Sequence, residues 1–358
     1  MKACPTVIAA IALVLSCPIA ARADAPAPVS SSEVGGVSSS LRLSTDSSDA
    51  ELSAGDDAFE HGDWTGAERH YTAARSSSRS AAAAIVGIAR ARIGRVGVPL
   101  DFGAAKGNAV VAAAAADLQR VVERNATLGP AFVELGRARL LLGDSQRAVS
   151  AMRRGVELLA DNPEAHSELG VGLLATGDVE GAIKELGRAV ELDPGCGARH
   201  GNLGTALMMA GRTREAIVEY EARVRLDDAD ARAHSDLGTA LLSTPDTSRA
   251  IVELRRAVAL RPQGPAFHQN LGYALQQAGR VNEAVLEYRT AIRLDANLVS
   301  AWINLATALA RDRATRSEAR SALGHARALS PNDPRVRANL SELDALDRMA
   351  LPDGGLSE

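Results

Sequence analysis

Leucine recurs at Leu135, Leu169, Leu203, Leu237, Leu271 and Leu305, always at a 34-residue interval. Glycine follows the first five, as Gly136, Gly170, Gly204, Gly238 and Gly272, and Ala306 follows the sixth. A fixed period of this length marks an array of helical repeats, in which each unit buries its apolar face only against its neighbours. The chain is therefore expected to be all-α, and its 358 residues need not divide into separate globular domains.

Within one unit, His200, Leu203, Gly204 and Leu207 fall at i, i+3, i+4 and i+7, a single helix face. Gly211 stops that helix, and a second begins just after it with Ala216, Tyr220 and Arg223 on its packing face. A sister unit repeats the second face as Ala284, Tyr288 and Ala291. Small residues stand where a large side chain would hold the helices apart. Leucine and tyrosine fill the remaining space, each contributing about 1.5–3 kcal/mol when fully buried. Pro194, Pro262 and Pro331 recur where the second helix must end, because proline blocks continuation. Apolar residues make up 46% of the chain and aromatics only 3%, so the core is Ala, Leu and Val, a mixture suited to closely packed helices.

The repeats read as six units, 129–162, 163–196, 197–230, 231–264, 265–298 and 299–333, the last with one extra residue between Ala310 and Ala319. Before them, 48–128 holds two degenerate units. The first keeps the spacing through Gly55, Ala58, Gly62, Ala67, Tyr71 and Ala74, and the second is opened by a glycine-rich loop insertion at 95–108. Residues 334–350 form an amphipathic capping helix, and 351–358 are a tail. Residues 1–23 read as a signal peptide, with Lys2, an apolar run over 6–16 and the Ala21-Arg22-Ala23 cleavage pattern. A rival is lipidation at Cys17, since Val14-Leu15-Ser16-Cys17 loosely resembles a lipobox. Cleavage after Ala23 removes Cys4 and Cys17 and leaves Cys196, expected as a lone solvent-facing or half-buried thiol in a turn. Residues 24–47, rich in Ser, Pro and Gly, read as a disordered linker.

The small, large and proline positions together resemble the tetratricopeptide repeat, from about 48 to 333 and strongly from 129 onward. That resemblance implies a right-handed superhelical solenoid of antiparallel helix pairs, with the first helices lining a concave groove. Trp302 alone supplies the aromatic Trp which the repeat favours at the start of its first helix. Phe132 and the histidines His166, His200, His234 and His268 take its place elsewhere. A histidine there, with Asn-Leu-Gly soon after, is most similar to the repeats of O-linked N-acetylglucosamine transferases.

Two residues after each of those positions runs a polar series: Glu134, Glu168, Asn202, Asp236, Asn270, Asn304 and, in the cap, Asn339. Three residues further on, Arg137, Thr205, Thr239, Tyr273 and Thr307 share that face. The resemblance places these twelve residues in the groove. An asparagine offers both donor and acceptor, so it can pair with peptide backbone of any sequence. A ligand groove for an extended polypeptide is the expected site. The histidines invite a metal reading, but successive rungs stand at least one helix spacing apart, ~8–10 Å, and metal–nitrogen bonds of about 2 Å cannot join them. They are expected as partly buried packing residues. Glu185, Glu219, Glu253 and Glu287 on the second helices are expected on a solvated outer face, with Arg188 and Arg256 as i,i+3 partners.

A formal charge of −4 disfavours a nucleic-acid binder. No nucleophile–base pairing, zinc-protease or CxxC motif is present, so neither catalysis nor a cofactor is expected. The expected function is a non-catalytic scaffold for a protein or peptide partner outside the cytoplasm, periplasmic or secreted, in bacterial envelope assembly. Contact with a membrane is expected only through a lipidated Cys17. The alternatives are a lipid-anchored envelope or pilus assembly factor and an accessory subunit presenting substrates to a glycosyltransferase.

Overall fold

The computed structural model describes residues 41–44, 49–77, 80–97 and 102–349. The targeting segment, the tail, loop residues 98–101 and all of the linker except 41–44 lie outside them. Seventeen α-helices and a 310 turn (Arg313–Thr315) make up the regular structure of the described residues, which contain no strand. They divide after Asp227 into two compact units.

The first unit contains α1 (Ala50–Glu60), α2 (Trp64–Ala74), α3 (Ala81–Val96), α4 (Ala109–Arg124), α5 (Gly129–Leu141), α6 (Ser145–Leu158), α7 (Pro163–Thr176), α8 (Val179–Leu192), α9 (Gly197–Met209) and α10 (Thr213–Leu226). The second contains α11 (Ala231–Leu241), α12 (Thr247–Leu260), α13 (Pro265–Gln277), α14 (Val281–Leu294), α15 (Val299–Ala310), α16 (Arg316–Leu329) and α17 (Pro334–Met349). Odd-numbered helices are the first helices of their pairs. Within each unit every helix packs on the next, and first helices also touch first helices of adjoining pairs. Second helices make no such contact with one another among the described residues. The first-helix layer is thus the more closely packed side of each stack.

The 34-residue period sets the helix ends. Gly143, Gly177, Gly211 and Gly279 close first helices in the left-handed region, at φ 85°, 82°, 72° and 75°, where a side chain is disfavoured. The following N–H then reaches back to an orphan carbonyl, as in Asp144 to Arg139 (2.8 Å) and Arg212 to Leu207 (2.9 Å). Asp144, Asn162, Asp178 and Asp246 accept from backbone N–H groups at helix starts.

The period also sets the packing. A Cβ on Gly55, Gly136, Gly170, Gly204, Gly238 or Gly272 would lie 2.4–2.7 Å from Tyr71, Met152, Leu186, Tyr220, Leu254 or Tyr288 respectively, always the residue sixteen further on. The last pair is Ala306 and Ala322, two small residues sharing one core. Glycine and its bulky partner act as one interlocking element.

Two expectations change here. Residues 41–44 are packed rather than free, with Leu41 and Leu43 only 1% and 5% exposed. Composition marks a segment that cannot form its own core, but these two leucines borrow one. Cys196 is fully buried and disulfide-bonded, not a lone half-exposed thiol. The described part of the loop insertion is also anchored. Gly103 and Ala105 donate to the carbonyls of Leu140 and Leu141 (both 2.9 Å), capping the end of α5.

Candidate functional site

All twelve sequence-predicted site residues lie on first helices or on α17, and none is exposed. Their surroundings differ along the chain.

In the first unit, Glu134, Arg137 and Glu168 are buried and close on one another. The Arg137 guanidinium on α5 meets Glu134 (3.1 Å), Glu164 of α7 (3.2 Å) and Glu168 of α7. Arg199 on α9 reaches Glu164 (3.4 Å) and Asp193 (2.5 Å). Burial alone would weaken the Arg137 charge, but Glu134, Glu168 and Glu164 together hold its pKa above the ordinary range. Three rungs expected to face a ligand are therefore consumed in an internal charge network. Charges in a close-packed layer must be paired, since an isolated one costs far more than the pair. Asn202 is half-buried with its Nδ2 unpartnered. Thr205 donates to the Gly201 carbonyl (2.9 Å) and lies 3.2 Å from the Tyr220 hydroxyl.

In the second unit, Asp236 and Thr239 are half-buried, and Asp236 lies 3.8 Å from Arg232. Asn270, Tyr273 and Asn304 are buried. Asn270 donates weakly to Ser235 Oγ (3.3 Å) and leaves its Oδ1 without a partner. Asn304 leaves its Nδ2 unused. At the cap, Thr307 donates to Asn339 Oδ1 (2.9 Å), and Asn339 donates to the Arg335 carbonyl (2.9 Å). The asparagine series is thus satisfied at its end and unsatisfied further in.

The histidines are buried packing residues that also carry a specific polar clamp. Nδ1 of His166, His200, His234 and His268 lies 2.6–2.7 Å from a carboxylate oxygen of Glu185, Glu219, Glu253 and Glu287. Nε2 lies 2.9–3.0 Å from a backbone carbonyl six residues earlier. Trp302 puts its indole N–H in the same place, 2.9 Å from the Ala296 carbonyl. The glutamates are therefore not outer-face residues, which corrects the expectation from spacing. Arg188 pairs instead with Glu191 (3.2 Å) and Asp161 (3.3 Å). The sequence held a signal for this clamp. Each histidine is followed nineteen residues later by glutamate, whereas Phe132 and Trp302 are followed by Ala151 and Ser321. Among the described residues, no group of three or more His, Cys, Asp or Glu could hold a metal ion. No described helix is long and apolar enough to cross a membrane.

Comparison with known proteins identifies the repeat. Residues 133–196 and 173–238 match the tetratricopeptide repeat. Residues 221–301 match the bacterial transcriptional activator domain. No curated protein matches the chain. Among solved structures, the chain resembles the Cut9–Hcn1 hetero-tetramer of the APC/C at 17% identity and TM-score 0.60, over 83% of this chain and 56% of that one. The chain thus spans just over half the length of that protein. It resembles Pseudomonas aeruginosa pilF at 18% identity and TM-score 0.51, over 62% of this chain and 99% of that one. MamA matches at 25% identity and TM-score 0.41, over 46% of this chain and 95% of that one. The first two likenesses establish an all-helical tetratricopeptide repeat fold. The particular likeness to glycosyltransferase repeats stays an expectation from the sequence.

Proposed function

We propose that this protein is a non-catalytic interaction scaffold that holds an extended stretch of a partner polypeptide on its first-helix face. One observation carries the reading. In the second unit Asn270 and Asn304, on successive first helices, each keep a buried amide atom without a hydrogen-bond partner, and Asn202 does so on a first helix of the first unit. An unmade buried hydrogen bond costs about 1–3 kcal/mol, so a surface built with several is poised for a ligand. Peptide backbone presents both N–H and C=O regardless of side chains, and the terminal asparagine torsion turns easily to meet either. Tetratricopeptide repeats suit this role because their stacked first helices offer a preformed surface.

The site of action in this reading is outside the cytoplasm, in the bacterial envelope. Its support is Lys2, the apolar run 6–16 and Ala21-Arg22-Ala23. Lipid anchoring through Cys17 is the variant of this reading that would make the protein an envelope or pilus assembly factor. An accessory subunit presenting substrates to a glycosyltransferase would use the same face. The match over 221–301 favours a second reading, an interaction module of an intracellular transcriptional regulator. An uncleaved chain recovered from the cytoplasm would support that reading and sink export.

The binding test uses a partner identified by capture from envelope extracts and then purified. Asn270→Ala with Asn304→Ala should weaken its affinity at least about tenfold, roughly one hydrogen bond's worth, with helicity unchanged. Equal affinity for both proteins refutes the reading.

A further inference from the structure

The first unit already holds an extended peptide, and that peptide is its own. Residues 41–44 have no helix or strand and lie against first helices. Leu41 is 1% exposed and packs with Val133 of α5, Ala165 of α7, and Val156 and Leu159 at the end of α6. Its carbonyl accepts from Arg90 Nη1 of α3 (2.6 Å). Two positions on, the Leu43 N–H donates to Asp56 Oδ2 of α1 (2.9 Å), and the Ser44 N–H and hydroxyl donate to that same oxygen (both 2.9 Å). Arg42 between them points to Asp57 (2.7 Å) and Glu60 (3.2 Å) and stays 40% exposed.

The groups that hold this segment are fixed independently of it. Asp56 Oδ1 accepts from the Tyr71 hydroxyl (2.9 Å) and from Arg90. Burial is the main cause raising the Tyr71 pKa, which keeps that phenol a donor. The Arg90 guanidinium lies over the Phe59 ring, 4.3 Å from its centroid. Asp56 and Arg90 are 1% and 2% exposed, so the buried carboxylate oxygen and guanidinium must find partners. They find them in the backbone of residues 41–44: one carbonyl, then two N–H groups two and three residues later. Asp56 follows Gly55 as Arg137 and Thr205 follow Gly136 and Gly204. It therefore occupies the register of the proposed binding face.

We propose that Asp56, Arg90 and the Val133 pocket form a peptide-binding site, which residues 41–44 fill as a tethered ligand. Its ligand class is an extended segment of a partner protein with leucine, a basic residue and leucine in succession. Backbone groups set the register, the Val133 pocket takes the first leucine, and Asp57 with Glu60 selects the basic residue. The partner segment and the chain's own segment exclude each other, so the site opens only when a better ligand displaces 41–44. This deepens the scaffold reading and rests on it.

The test is fluorescence anisotropy with a labelled synthetic peptide of residues 36–47 added to the full chain. Leu41→Ala with Leu43→Ala should bind it at least about tenfold more tightly than the unaltered chain, whose site is filled. Arg42→Glu, which loosens the segment from Asp57 and Glu60 without touching the core, should raise affinity several-fold. Adding Asp56→Asn to either variant should abolish the gain. If a variant with unchanged circular dichroism binds the peptide no better than the unaltered chain, residues 41–44 are only structural and the proposal fails. Asn270 and Asn304 belong to the other unit. Failure here with a loss of partner affinity there removes this inference and leaves the scaffold reading standing.

Discussion

His200 Nδ1 lies 2.7 Å from Glu219 Oε2, and its other ring nitrogen lies 3.0 Å from the Pro194 carbonyl. Both neighbours are acceptors, while a neutral imidazole carries only one N–H. The geometry is therefore fully satisfied by the imidazolium. The Glu219 hydrogen bond is the largest cause raising the His200 pKa, and burial and Arg225 work against it. At His268 burial is the largest cause and lowers the pKa, but Glu287 and the Pro262 carbonyl outweigh it, and the pKa ends raised.

A pH dependence with a definite sign follows from this pair. Both folded-state values lie above the ordinary value of about 6.5. The stability they add is complete below that value and is lost as pH rises through the folded-state pKa. Melting temperature should fall on going from pH 6 to 9. His200→Gln with His268→Gln should flatten the decline, and an equal slope in that variant would refute the assignment. In titrations followed by NMR, Glu219→Gln should lower the His200 pKa.

Removing Arg137 should be among the most damaging single changes. Arg137→Met leaves Glu134, Glu164 and Glu168 buried together without the guanidinium that joins them. Breaking a buried charge network in this way costs about 3–5 kcal/mol. Denaturant titration of the full chain, read by helical circular dichroism, should show the early loss of one block of helix. A midpoint within error of the unaltered chain would contradict the network.

Glycines within the helices should separate cleanly. A Cβ at Gly204 would stand 2.7 Å from the Tyr220 ring, whereas nothing lies within 4 Å of one at Gly187 or Gly324. Gly204→Ala should destabilise by about 1–3 kcal/mol through overpacking. Gly187→Ala and Gly324→Ala should stabilise by about 0.5–1 kcal/mol through helix propensity. Thermal melts of the three variants decide.

The state of Cys196 reports on processing. The only other cysteines are Cys4 and Cys17, both before the expected cut at Ala23. A chain cleaved there should have the mass of residues 24–358, and the disulfide at Cys196 cannot then form within that one chain, whereas an uncut chain retains both other cysteines. A mass beginning at Cys17 with acyl groups would establish the lipoprotein route instead.

The sequence by itself determined the stacking. A period of 34, glycine paired with a bulky residue sixteen later, and proline after several of the second helices are local rules, obeyed within one or two turns of neighbouring helices. Such rules are legible because every contact they need lies at a fixed sequence distance. The polar series on the first helices was legible for the same reason, down to its residue types. Its electrostatic fate was not. Whether Glu134 and Glu168 meet solvent or Arg137 depends on packing between successive first helices, and the arginine that pairs with them occurs once rather than periodically. Only the tertiary structure decided this, and only it showed that 41–44, which composition marks as spacer, lies on first helices against Asp56 and Arg90. That contact joins residues up to 49 apart, beyond the reach of any repeating pattern. The opening period therefore explains the frame, while the charges and the tethered segment on its first-helix face follow from packing that no period encodes.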